Sequence, residues 1–147
     1  MSYKGYYKPS YPQKYKGDPN NIIYRSLWER KFMKYCDTNE SVLEWSSEEY
    51  KIPYVSPLDN RWHRYFVDFW VKVKKKDNTI KNYLIEIKPY KQTKKPVINN
   101  LKKITLTEKR KILTFSVNIK KWRAAKKYCE RRGWDFLLLT EKNLFGK

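Results

Sequence analysis

Two carboxylates in this chain stand where a carboxylate is hard to accommodate. Asp68 lies within Val67-Asp68-Phe69 and Glu86 within Ile85-Glu86-Ile87, each a lone acid between residues that favour burial. A buried carboxylate needs a partner or a metal. Side chains alternate along a strand, so Leu84, Glu86 and Lys88 share one face of their segment. By the same alternation Arg64, Phe66, Asp68 and Trp70 share a face of the segment before it. Lys74-Lys-Lys-Asp-Asn78 between them is a polar turn, which makes the two segments a natural hairpin. Asp68 lies nine residues before Asp77, and Glu86 eight after Asn78. A turn centred there makes the two acids cross-strand neighbours.

Carboxylates that close repel, and one pKa rises unless a cation sits between them. Oxygen donors on rigid strands suit Mg²⁺, with Mn²⁺ as a substitute, because these ions keep waters and accept phosphate oxygens. An ammonium beside such an ion, here Lys88, would hold the attacking water and offset charge building on phosphorus. Glu-x-Lys is a weak motif in itself, since alternating charge is common on a solvated strand face. The apolar flanks of both acids are what favour the metal site.

Asp18-Pro19-Asn20-Asn21 looks like a helix start, with the helix running to about Cys36. Its apolar face would be Ile23, Leu27, Trp28, Phe32 and Tyr35. Glu40 to Glu49 reads as an acidic connection. Three strand-like segments follow: Lys51–Val55, where Pro53 suggests an edge or strand end; Trp62–Val73; and Tyr83–Lys88. The spacing predicts a helix somewhere between Ile98 and Leu113. A clearer one spans about Asn118 to Arg132, with Ile119, Trp122, Ala125 and Cys129 on one face and Gly133 ending it. Trp134–Leu139 reads as a buried strand. This order gives an α/β fold, a short sheet flanked by helices.

The first ~20 residues differ. Tyr3, Tyr6, Tyr7, Tyr11 and Tyr15 alternate with lysines, and Gly5, Pro9, Pro12, Gly17 and Pro19 interrupt regular structure. They read as an extended N-terminal arm over residues 1–20, before a single domain over 21–147. Such an arm either wraps back onto the domain, the simpler reading, or lays Tyr rings on bases and Lys on phosphates.

A chain of 147 residues supports one buried core. Its 34 Lys and Arg against 15 Asp and Glu give +19, and a polyanion would relieve that self-repulsion. Nucleic acid is the favoured partner. No apolar run reaches the length of a bilayer span, and the N-terminus lacks the apolar stretch of a signal peptide. Cys36 and Cys129 read as free, partly buried thiols in an intracellular, reducing compartment. Arg64 is a candidate phosphate contact. So are Lys91, Lys94 and Lys95 after Lys88, and Lys120, Lys121, Arg123 and Lys127 on the later helix. His63 lies on the strand face opposite Asp68 and reads as structural.

The order of Glu29 in a helix, Tyr65-Phe-Val-Asp68-Phe, then Leu84-Ile-Glu86-Ile-Lys88-Pro89 resembles the PD-(D/E)xK nuclease superfamily. It is particularly similar to the branch that holds the endonuclease subunit of heteromeric transposases. It is more similar still to the head-completion nucleases of large contractile-tailed phages. Asn21–Arg30, His63–Asp68 and Ile85–Thr93 carry that likeness, which covers most of the chain. The resemblance implies a restriction-endonuclease-like core. It assigns Asp68 and Glu86 as metal ligands, Lys88 as the catalytic lysine, and Glu29 as a first-helix acid that assists metal or water placement. Glu29 also reads as an exposed i,i+4 salt-bridge partner of Arg25. Val67 stands where the superfamily has proline, a position that contributes no chemistry. The implied activity is metal-dependent DNA cleavage with little sequence preference, in phage head completion after packaging. Head or portal proteins would be partners, and the setting would be the infected cell's cytoplasm or the virion. The rival readings are a non-catalytic basic DNA-binding head or neck protein, or the cutting subunit of a transposase complex.

Overall fold

The computed structural model describes residues 3–145. Its strands are β1 (Gly5–Tyr6), β2 (Ile23–Tyr24), β3 (Val42–Ser47), β4 (Lys51–Val55), β5 (Trp62–Phe66), β6 (Phe69–Lys74), β7 (Ile80–Ile87) and β8 (Asp135–Leu139). The helices are α1 (Leu27–Thr38), α2 (Leu106–Glu130) and the short α3 (Glu141–Leu144). The central sheet runs β3-β6-β7-β8; its first three strands are antiparallel, and β8 joins β7 in parallel. β1 pairs with β2, and β4 with β5, in separate two-stranded ribbons. The architecture is α/β, a short mixed sheet between helices, matching the restriction-endonuclease-like core.

The apolar run of β7 has both its faces covered. Ile85 and Ile87 join Phe69 and Val71 against Phe32, Met33 and Cys36 of α1. Leu84 joins Trp70 on the other face against Trp122, Ala125 and Cys129 of α2. A central strand between two helical layers therefore shows no clean polar alternation.

Several elements differ from expectation. The first helix starts at Leu27, because Ser26 in extended backbone accepts the Glu29 N–H at 3.2 Å as N-cap. Ile23 is consequently in β2, while Leu27 and Tyr35 are exposed; the buried face is Phe32, Met33, Cys36 and Asp37. The acidic connection contains β3, whose Trp45 is fully buried. The long strand from Trp62 breaks at Val67–Asp68, and its halves belong to different sheets. The two later helices are one, α2, opened by a capping box between Thr105 and Glu108. It ends where Gly133 turns left-handed at φ +68°, with the Trp134 N–H reaching Cys129 O at 2.8 Å. β8 is a half-exposed edge strand rather than a buried one.

The N-terminal segment packs on the body of the fold. The buried Asp37 carboxylate accepts Tyr7 Oη–H at 2.8 Å and the backbone N–H groups of Ser10 at 2.7 Å and Tyr11 at 2.9 Å. Lys14 Nζ donates to the Asp37 and Asn39 carbonyls, both at 2.9 Å, and the Tyr15 ring meets Trp45 edge-on at 4.7 Å. Cys36 and Cys129 are buried free thiols, and burial raises the Cys129 pKa to about 11. Among the described residues no helix is long and apolar enough to cross a membrane.

Candidate active site

The β6–β7 hairpin turns through Lys75–Thr79, with Asn78 at φ +69°. Phe69 pairs with Ile85, so one step further brings Asp68 level with Glu86, the alignment expected from the turn. Asp68 lies just before β6, half-buried, and its Oδ2 accepts the Ile87 N–H at 2.9 Å. Among the described residues no hydrogen-bond donor reaches its Oδ1. Glu86 is 6% exposed. Its Oε1 accepts the Tyr65 hydroxyl at 2.6 Å, and Lys88 Nζ stands 3.7 Å from its Oε2.

Burial pushes the Asp68 carboxyl well above the usual carboxylate range, and repulsion from Glu86 adds to the effect. Burial also raises Glu86, opposed by the Tyr65 hydrogen bond and the nearby charge of Lys88. Tyr65 is held protonated by burial and by the Glu86 charge. The result is a pair of carboxylates whose ionisation is resisted by their surroundings, the condition that a bound cation relieves.

Glu29, in the first turn of α1, is raised by burial and feels Glu48 and Glu86. It is not the salt-bridge partner of Arg25. The Arg25 guanidinium grips Glu48, Nε to Oε1 at 2.9 Å and Nη2 to Oε2 at 3.2 Å. Glu29 Oε1 instead accepts the Arg25 backbone N–H at 3.1 Å. Glu48 itself has φ +56°, a conformation that strains a non-glycine residue. It lies beside the site, its N–H donating to Asp68 O at 3.0 Å.

The break at Val67–Asp68 corrects the expected face. Tyr65 and Val67 point inward while Arg64 and Phe66 lie outside, so Tyr65, not Arg64, meets Glu86. Arg64 stands over the Phe66 ring at 5.8 Å. Lys121 of α2 is half-buried, 5.6 Å from the Tyr65 ring centroid, and favours the Glu86 charge. Lys120, Arg123 and Lys127 are exposed on the same helix, as are Lys91, Lys94 and Lys95 on the segment after β7. His63 pairs with Asp59 at 2.9 Å. Among the described residues no group of three or more His, Cys, Asp or Glu side chains is placed to hold a metal. A cation at Asp68 and Glu86 would therefore complete its shell with water and substrate, as Mg²⁺ commonly does.

The model of the TnsA-like endonuclease N-terminal domain matches residues 39–141, a span holding Asp68, Glu86 and Lys88. The chain belongs to the TnsA-like endonuclease family. It is also 41% identical over 147 residues to the head completion nuclease of Enterobacteria phage T4, with 98% of this chain and 95% of that protein covered. No solved structure matches it. Membership makes this TnsA-like protein an endonuclease that acts on DNA, and the matched span takes in all of α2 and all of the central sheet. Glu29 and the Asp37-anchored N-terminal segment precede that span, but the similarity to the phage nuclease extends over them. Tyr65 is the site residue that strand alternation missed. The cue was a tyrosine three residues before the acid, but its direction depended on the break at Val67.

Proposed function

We propose that this chain hydrolyses DNA phosphodiesters with Mg²⁺, or Mn²⁺ in its place, held by Asp68 and Glu86. The observation that carries the reading is the register of the central hairpin, which levels the two carboxylates and sets Lys88 beside Glu86. The bound ion supplies Lewis acidity toward the phosphate and acidifies water. Lys88 places a compact positive charge beside the reacting phosphate and offsets the charge that develops there. Tyr65 holds Glu86 Oε1, leaving Oε2 on the side of Lys88. Glu29 assists placement of metal or water from the first turn of α1. The exposed cations Lys91, Lys94, Lys95, Lys120, Arg123 and Lys127, with Lys121 nearer the site, contact the DNA backbone, and Arg64 touches DNA from the outer face of β5. Contacts of this kind neutralise phosphates without reading sequence.

The near-complete overlap with a head completion nuclease supports action in phage head completion after packaging. Head or portal proteins are then partners, and the site of action is the infected cell's cytoplasm or the virion. That overlap favours this setting over a transposase subunit. The test is cleavage of supercoiled and linear DNA with Mg²⁺, with Mn²⁺ and with chelator. Asp68→Ala and Glu86→Ala should each abolish metal-dependent cutting while DNA binding stays equal or tightens, since a charge repelling phosphate is gone. Wild-type-like cutting by either variant overturns the site.

A further inference from the structure

The β4–β5 ribbon carries an exposed face of which the proposed function uses only Arg64. Cross-strand register places Val55 opposite Trp62, Pro53 opposite Arg64 and Lys51 opposite Phe66. Trp62 is 72% exposed and Phe66 45%, while the alternate residues Ile52, Tyr54 and Tyr65 are buried against α2. Two exposed aromatic rings lining one groove on a small ribbon, Trp62 open and Phe66 flanked by cations, form a contact surface. A shallow groove runs between them, lined by Pro53, Trp62, His63, Arg64 and Phe66, with His63 paired to Asp59.

The chemistry of this face selects its partner. Neither strand contains an Asp or Glu, and among the described residues no acid pairs with Lys51 or Arg64. Both cations instead lie 5.8 Å from the Phe66 ring centroid. A protein-binding patch centres on apolar groups and is depleted of charge; here the aromatic and cationic groups are interleaved. Cations for phosphates and open rings for flat faces together fit a nucleic-acid strand. A duplex hides its base faces in the stack, so projecting rings can meet only bases that are unpaired. The three residues at Trp62, Arg64 and Phe66 extend over about 13 Å of strand, and Phe66 precedes Asp68 by two residues, about 7 Å of chain.

We infer that the outer face of the β4–β5 ribbon is a stacking platform for unpaired DNA bases, making DNA with single-stranded segments the preferred substrate class. The inference uses the family's action on DNA, not the assignment of Asp68 and Glu86. Binding is therefore measured with chelator present, where cutting plays no part. Fluorescence anisotropy would compare the full chain with Trp62→Ala and Phe66→Ala on three probes of about 16 nucleotides, within the usual range of single-strand site sizes. These are a single strand, its blunt duplex, and a strand of abasic sites that keeps the phosphates. Each substitution should weaken the single strand by about five- to a hundredfold, the range for losing one stacked base. Duplex and abasic probes should change by no more than about twofold, since neither offers a base face. Trp62→Phe should retain most of the affinity, and Trp62→Leu should not, which separates stacking from apolar contact. Unchanged single-strand affinity in both alanine variants overturns the inference. So does an equal loss on all three probes, which would reduce the face to a source of charge or fold.

Discussion

Asp68→Asn should make this protein more stable while it loses cleavage. In the fold Asp68 is half-buried, level with Glu86, and raised by burial and by that neighbour's charge. Its structural contact is the Ile87 N–H at 2.9 Å, which an asparagine oxygen can accept equally well. The new amide N–H₂ faces the acid instead of repelling it. Relieving one poorly compensated buried charge in an isosteric frame is worth roughly 1–3 kcal/mol, within the range seen when buried charges are replaced by neutral groups. At about 2–4 °C per kcal/mol for a chain of this size, Tm should rise by roughly 3–10 °C near neutral pH. The fold raises the Asp68 pKa above its unfolded value of about 3.9. The native state therefore holds more protons between those two values, and wild-type stability declines as pH climbs through that interval. The gap between variant and wild type should open over the same interval and close as pH falls toward about 4. Thermal unfolding of both proteins, with chelator, from acid to neutral pH measures it. Added Mn²⁺ should then raise the wild-type Tm far more than that of the variant, because a ligand stabilises only the state that binds it. A variant that melts below wild type at neutral pH, or a gap indifferent to pH, refutes the electrostatic reasoning.

Two further outcomes follow from other parts of the molecule. Asp37→Ala removes the acceptor of the Tyr7, Ser10 and Tyr11 donors; orphaned donors cost about 1–3 kcal/mol each, so a loss of about 3–5 kcal/mol is expected. Tm should fall by roughly 10–15 °C, with early proteolysis within the first ~20 residues, and an unchanged melt would show that this anchor is dispensable. DNA affinity should fall linearly in a log–log plot against salt and differ little between unrelated sequences of equal length and strandedness; a flat salt response would remove the basic surface from the account.

What the sequence made legible was the hairpin. Its polar turn, read at Lys74–Asn78 and found at Lys75–Thr79, and its lone acids in apolar runs place Asp68 and Glu86 level without any structure, because hairpin register follows from the turn. The α2 face of Trp122, Ala125 and Cys129 was equally plain at helical spacing. The start of α1 was misplaced because Asp18-Pro19 imitates a cap. The working signal was Ser26-Leu-Trp-Glu29, a Ser-x-x-Glu spacing of the capping-box kind. β3 was hidden by the acids in and around it, Glu40, Glu44, Glu48 and Glu49: Glu44 pairs with Lys72 at 3.2 Å on the neighbouring strand, so its charge is structural. Tyr65 and Arg64 exchanged places because alternation was carried through Val67, where the chain leaves one sheet for another. Alternation holds only within one continuous strand, so the passage from β5 to β6 resets which face each residue takes, and local sequence does not mark where it falls. The Arg25–Glu48 grip beside the site is 23 residues apart in sequence and arises only from tertiary packing.

The central claim is that Asp68 and Glu86 hold the metal while Lys88 acts on the reacting phosphate or water. Lys88→Ala separates these roles when Mn²⁺ titration calorimetry and plasmid nicking are run on the same preparation. Metal binding should persist, because both carboxylates remain, and nicking should fall by about a hundredfold or more, as for loss of a transition-state electrostatic contact. Lys88→Arg should not restore it fully, since a planar guanidinium cannot put its charge where a compact ammonium sat. An alanine variant that binds metal and nicks DNA at the wild-type rate would make Lys88 an ordinary surface lysine and contradict the account.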